Sequence, residues 1–272
     1  MKRISGLFLS VFILITACNE KNEKLFNKVD SSHSGIYFKN LLIDTPELNI
    51  LNYLYYYNGA GVASADFNND GLADLYFSSN QGEDKLYINK GGLKFEDVTK
   101  AAQIDNSGNW TAGVTHVDIN HDGLLDIYVC KVGGYRGLKG TNLLYVNKGI
   151  GADGIPKFSE EASSYGLDFS GLSTQAAFFD YDLDGDLDMY LLNHSVHPNH
   201  TYGKGSQRLE IDSLSGDRLY RNDDGWYNDV SAKAGIFQGK IGDRHGLGVS
   251  DLHADGYPDI YVGNDFFEND YL

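Results

Sequence analysis

Residues 66–74 read Asp66-Phe67-Asn68-Asn69-Asp70-Gly71-Leu72-Ala73-Asp74, and the pattern of this stretch returns three times without gaps. The copies occupy residues 118–126, 180–188 and 251–259, with starts 52, 62 and 71 residues apart. The shared form is D-x-[D/N]-x-D-G-x-x-D, and His253 at the third position of the last copy is its one departure. An apolar-aromatic triplet follows each copy at once: Leu75-Tyr76-Phe77, Ile127-Tyr128-Val129, Met189-Tyr190-Leu191 and Ile260-Tyr261-Val262. Agreement at four positions in all four places, and at a fifth in three of them, is not chance.

Working outward, a second unit recurs between the acidic stretches. Lys85-Leu86-Tyr87-Ile88-Asn89 is echoed by Leu143-Leu144-Tyr145-Val146-Asn147 and by Arg218-Leu219-Tyr220-Arg221-Asn222. A glycine turn and a third short apolar segment come next, beginning at Phe95, Phe158 and Trp226. Gly-rich and β-branched residues precede each acidic stretch, as in Gly61-Val62-Ala63-Ser64-Ala65. One repeat therefore reads strand, acidic loop, strand, turn, strand, turn, strand. Four antiparallel strands at this period predict an all-β chain, a β-propeller with one unit per blade and little helix. About three and a half blades are visible.

Alternate side chains at loop positions 1, 3 and 5, a main-chain carbonyl at 7 and the carboxylate at 9 can enclose a cation. Gly at position 6 permits the sharp reversal. Hard oxygen donors in this number suit Ca²⁺ better than Mg²⁺, which gives up its water reluctantly. The candidate ligands are Asp66, Asn68, Asp70, Leu72 and Asp74; Asp118, Asn120, Asp122, Leu124 and Asp126; Asp180, Asp182, Asp184, Asp186 and Asp188; and Asp251, Asp255, Tyr257 and Asp259. Three to four calcium sites are expected, His253 lacking the oxygen of its counterparts. An EF-hand needs an acid at position 12, where this chain has Phe77, Val129, Leu191 and Val262. The alternative is a metal-free hairpin held by Asx turns, which leaves the crowded carboxylates unexplained.

Composition agrees. The net charge of the 272 residues is −16, which disfavours nucleic acid as a partner. Fourteen of the 38 acids lie in the four loops, and the remaining 24 nearly balance 22 Lys and Arg. The acidity is thus local to the proposed sites. At the N-terminus, Met1-Lys2-Arg3 precedes an apolar run from Ile4 to Thr16, the form of an export signal. Ile15-Thr16-Ala17-Cys18 resembles a bacterial lipobox, which predicts a signal peptide over residues 1–17, lipidation of Cys18, and a polar tether over residues 18–34. The expected location is an exported lipoprotein of the outer membrane, attached through the lipid alone. Cys130, on an apparent strand, is expected to be buried and inert.

The loops and their flanking strands resemble the FG-GAP/VCBS repeats of integrin-α-type β-propellers. They are closer still to the bacterial ASPIC/UnbV-type and cartilage acidic protein group. The resemblance covers about residues 35–272 and implies Ca²⁺ at the loop positions named above, with adhesion or ligand binding rather than catalysis. It also implies about seven blades, so the chain is expected to be an N-terminal fragment of a larger propeller. A closed ring of four is the competing arrangement, with Gly35-Ile36-Tyr37-Phe38-Lys39 as its missing outer strand.

One insertion stands apart from the repeat. Residues 193–203 carry His194, His197 and His200 at a spacing of three. They are read as a polar ligand-contact loop, with a transition-metal site or a catalytic base as alternatives. Lone His116, His121 and His245 are read as packing groups near the acidic loops. Two function classes result. The first is a membrane-anchored, calcium-binding extracytoplasmic module for glycan or protein ligands. The second is an extracytoplasmic polysaccharide lyase or hydrolase using the His194–His200 loop.

Overall fold

The computed structural model describes residues 25–105, 110–195, 208–265 and 268–272. Among the described residues, sixteen strands account for most of the regular structure. β1 (Val62–Ala65), β2 (Asp74–Phe77), β3 (Lys85–Asn89) and β4 (Phe95–Asp97) form a first antiparallel sheet in chain order. β5 (Thr111–Val117) and β6 (Asp126–Lys131) open the second sheet. After a small hairpin of β7 (Gly133–Tyr135) and β8 (Leu138–Lys139), β9 (Leu143–Ile150) and β10 (Pro156–Glu160) complete it. β11 (Ser173–Phe179), β12 (Asp188–Asn193), β13 (Arg218–Asp223) and β14 (Trp226–Asp229) make the third. β15 (Asp243–Ser250) pairs with β16 (Asp259–Asp265), onto which Tyr271 bridges at Val262. Helix among the described residues is limited to the single turns Ser31–Ser34, Ala162–Tyr165 and Ser231–Ala234 and a 3-10 turn, Leu54–Tyr57.

The repeat grammar read from the sequence is therefore the sheet grammar. Each acidic stretch is the connection between the first and second strands of its sheet: β1–β2, β5–β6, β11–β12 and β15–β16.

The sheets stack face to face in chain order, the arrangement of propeller blades. Tyr76, Leu86 and Ile88 of the first sheet share a core with Ile127, Val129 and Tyr145 of the second. Tyr128, Cys130, Leu144 and Val146 face the other way and pack with Met189, Leu191 and Tyr220 of the third. Tyr190, Leu192 and Leu219 then meet Leu247, Ile260 and Val262. Apolar side chains on both faces explain why β6 and β12 are buried at all six positions. A strand covered on both faces reads as a continuous apolar run rather than an alternation.

First strands lie against first strands, β1 beside β5, β5 beside β11 and β11 beside β15. The approach at Gly113 is close: a Cβ there would stand 1.9 Å from the Thr174 carbonyl oxygen. Only glycine fits.

Residues 35–39 form no strand and lie on the first sheet. A Cβ at Gly35 would meet the Phe95 carbonyl oxygen at 2.5 Å, and the Phe38 ring stacks on Phe77 at 5.1 Å. The segment thus accompanies the sheet that follows it in sequence and supplies no outer strand to β15–β16. No described helix is long and apolar enough to cross a membrane. The apolar run at 4–16 and Cys18 lie outside the described residues.

Candidate metal centres

The four loops share one backbone form. Position 4 is left-handed in every copy, at Asn69, His121, Leu183 and Ala254, with φ of 55, 57, 62 and 56°. The glycine at position 6 follows with φ of 86, 82, 99 and 91°. Left-handed leucine or alanine is uncommon, so the surrounding bonds must impose it. They come from position 1, where one carboxylate oxygen accepts the N–H of position 5 and the other that of Gly at position 6. The pairs are Asp66 with Asp70 and Gly71, Asp118 with Asp122 and Gly123, Asp180 with Asp184 and Gly185, and Asp251 with Asp255 and Gly256. Asx turns are present as well, Asp70, Asp122, Asp184 and Asp255 each accepting the N–H two residues on, and they shape the loop around the acids.

Position 9 serves a different purpose. Asp74, Asp126 and Asp188 are fully buried. One oxygen of each accepts the N–H of loop position 2 (Phe67, Ile119 and Tyr181), all at 2.9 Å. The other accepts the N–H of Asn89, Asn147 or Asn222 in the third strand, at 2.8, 2.7 and 2.8 Å. The carboxylate thus clasps the loop to its sheet. Burial pushes all three carboxyls up to about 6, against the opposing pull of these N–H donors. In the fourth loop Asp259 is 18 % exposed, and His253 Nδ1 lies 2.9 Å from the oxygen that a third-strand Asn holds elsewhere.

Position 2 anchors the loop from below. Phe67 and Ile119 are buried in the cores between successive sheets, and Tyr181 packs against the next.

Convergence of the acids is greatest in the third loop. Among the described residues one group of three acidic, His or Cys side chains brings its ligand atoms within 4.8 Å of one another: Asp180, Asp182 and Asp188. Asp186 Oδ1 is buried there without a hydrogen-bond partner among the described residues. Burial first, and then Asp184, Asp182 and Asp180, hold the Asp186 carboxyl above its usual range. Three convergent carboxylates are a donor set that suits a hard divalent cation. The first two loops replace one acid with Asn68 or Asn120, whose Nδ2 donates to Asp70 or Asp122 at 3.0 Å. Adjacent loops also touch, Asn69 Nδ2 donating to the Gly123 carbonyl at 3.3 Å.

A second clasp, unmarked in the sequence reading, recurs at the opposite end of the sheets. Tyr76 and Tyr190 donate to Asp84 and Asp217 at 2.9 and 3.0 Å, and Tyr261 donates to Asp270. In the second sheet Asn142 takes the place of the aspartate and donates to the Tyr128 hydroxyl. The aromatic of each triplet and the Asp or Asn opening each third-strand unit were the available signal.

Of the three histidines in the insertion, His194 alone is described, and it is buried at 1 % exposure. His197 and His200 lie outside the described residues. His245, read as a neighbour of an acidic loop, stands instead at the other end of β15, its ring 5.5 Å from that of Tyr55. Cys130 is free and buried, and burial pushes its thiol well up, as an inert cysteine requires.

Residues 66–129 match the FG-GAP-like repeat family. The chain is similar to cartilage acidic protein 1 of Xenopus tropicalis, 30% identical over 160 residues, which are 57% of this chain and 24% of that protein. The corresponding proteins of Mus musculus and Homo sapiens are 28% and 29% identical over 137 residues, 49% of this chain and 20% of each. The match thus spans about a quarter or less of these relatives.

Proposed function

We propose that this chain is part of an integrin-like β-propeller that binds ligands outside the cytoplasm and is stabilised by calcium in its acidic loops. The observation that carries the metal is the third loop, where Asp180, Asp182 and Asp188 converge. Asp180, Asp182, Asp184, Asp188 and the Asp186 carbonyl would hold Ca²⁺ there. Asp66, Asn68, Asp70, Asp74 and the Leu72 carbonyl, and Asp118, Asn120, Asp122, Asp126 and the Leu124 carbonyl, are the sets of the first two loops. Bound cation would supply charge that offsets carboxylate repulsion. The position-9 aspartates would meanwhile keep each loop fixed to its third strand, so metal and sheet stabilise each other.

The match to FG-GAP-like repeats supports the binding-module reading. So does the placement of the loops side by side at one end of the first strands. Attachment through lipidated Cys18 and an outer-membrane location complete the proposal, and a glycan or protein is its ligand. The lyase or hydrolase alternative gains nothing from His194, which is buried and packed against tyrosines rather than presented to solvent.

The test is a melt with and without chelator. At calcium about tenfold above a dissociation constant of about 0.1 mM, each site contributes roughly 1.4 kcal/mol. Chelation is therefore expected to lower the melting temperature by several degrees, with Mg²⁺ unable to restore it. D182N should remove the strongest heat in a calorimetric titration. A melting temperature indifferent to chelator would overturn the calcium reading.

A further inference from the structure

Each sheet turns two different faces to its neighbours, and the repeat makes those faces comparable position by position. One face docks on the preceding sheet. Val114, Ile127 and Val129 serve there in the second sheet, Ala176, Met189 and Leu191 in the third, and Leu247, Ile260 and Val262 in β15–β16. Cross-strand register makes Val62, Leu75 and Phe77 their counterparts in the first sheet. Residues 35–39 cover part of this face, where Phe38 stacks on Phe77 and Tyr87 of β3 is 4 % exposed. Over β1 the face is bare: Val62 is 57 % exposed, and Ser64 is exposed beside it.

The opposite face receives the next sheet, and it is built small where the first strands meet. Ala63 and Ala65 lie buried under the second sheet. Gly61 and Gly113 admit the next first strand so closely that a Cβ would stand 2.8 Å from the Val114 nitrogen or 1.9 Å from the Thr174 oxygen. By register, β15 holds Gly246, Gly248 and Ser250 at these positions. A Cβ at Gly246 or Gly248 would meet nothing within 4 Å. Tyr261, the counterpart of fully buried Tyr76 and Tyr128, is 43 % exposed.

The row of described sheets thus has a bare docking face over β1–β2 and a bare receiving face on β15–β16. Repeat arrays that stay apart end in polar caps. Here both ends keep the apolar and small residues that their counterparts use between sheets. We infer that copies of this chain associate head to tail, the first sheet of one seated on β15–β16 of the next, as a continuation of the stacking inside each chain. A second copy is the occupant because the surface that fits the receiving face is carried by the molecule itself, in the same register. The two faces differ, so the contact is heterologous and either closes into a ring or extends as a chain. Sheet stacking alone carries this, and calcium binding plays no part in it.

Sedimentation velocity of the full chain should show association that grows between about 1 and 100 μM. V62K places a charge on the docking face and G248K one on the receiving face, both in open space, so melts at about 1 μM should match wild type. Each variant should self-associate about tenfold or more weakly, because the lysine would be buried unpaired in the contact. Their equimolar mixture is decisive. The V62K chain keeps its receiving face and the G248K chain its docking face, so the mixture should form dimers that neither forms alone. S250K, exposed on the same face, takes the place of G248K if that variant melts early. A wild-type chain still monomeric at about 100 μM, association that neither variant weakens, or a mixture no more associated than its parts would overturn the proposal.

Discussion

Asp126 has two roles that can be separated by experiment. Its oxygens accept two buried N–H groups, from Ile119 and Asn147. Removing them strands both donors, at about 1–3 kcal/mol each. D126A is therefore expected to cost about 2–6 kcal/mol by urea denaturation in chelator. D122A, at an exposed loop position, should cost under about 1 kcal/mol in chelator and show its effect only with calcium. Equal losses in chelator would contradict the clasp. The spacing of acids was legible in the sequence because each loop is a local structure. The division of labour among them was not, because it depends on Asn147 reaching back from another strand. His194 makes the same point. Its residue type suggested a solvated loop, whereas the tyrosines that bury it come from some 140 residues earlier. A pH test follows from that burial. The unfolded chain takes up a proton at about 6.5 and the folded one only near 3, so stability is lost as pH falls between these values. Between about pH 7.5 and 4.5, wild type should lose about 2–3 kcal/mol more than H194F. Parallel profiles would show that the histidine charges freely in the folded protein.

At the scale of the element, the strand pattern was readable for a physical reason. β6 and β12 are central strands with a core on each face, so their sequences are short apolar runs bounded by Asp at one end and by Lys131 or Asn193 at the other. The β7–β8 insertion breaks the period and carries no alternation, so its placement was not readable. Gly113 shows how a strand's neighbour can decide a residue. Its conformation is ordinary, yet β11 passes so close that a Cβ would stand 1.9 Å from the Thr174 oxygen. G113A must separate the second and third sheets or bend β5, and is expected to cost at least about 3 kcal/mol, the upper range of overpacking. G137A offers the comparison: it has open space around it but a φ of 82°, so it should cost about 1–2 kcal/mol from backbone strain alone. A denaturation midpoint for G113A equal to that of G137A would refute the close approach.

Among the described residues the sheets form a row in which successive sheets share apolar cores, so stability should be distributed along the row rather than shared evenly. The second and third sheets each have an apolar core on both faces. The first shares one such core with a neighbouring sheet, and β15–β16 shares one across a two-stranded pair. Local opening takes the elements with the fewest buried contacts first. Amide exchange is therefore expected to be slowest in β6 and β12, intermediate in β2 and β3, and fastest in β16. Calcium should change this order in a defined way. The first two loops are joined by Asn69 and Gly123, and each of the first three is tied by its position-9 aspartate to a third strand. Filling them should slow exchange at Asn89, Asn147 and Asn222, whose N–H groups donate to those aspartates, more than at Ser79 and Asn193 on the remote clasps. Measuring exchange in chelator and in calcium, residue by residue, tests both statements. Uniform protection in chelator would mean that the sheets open as one unit and the row is not their energetic order. A calcium effect as large at the remote clasps as at the loops would mean that the metal acts on the whole fold rather than through the aspartate ties.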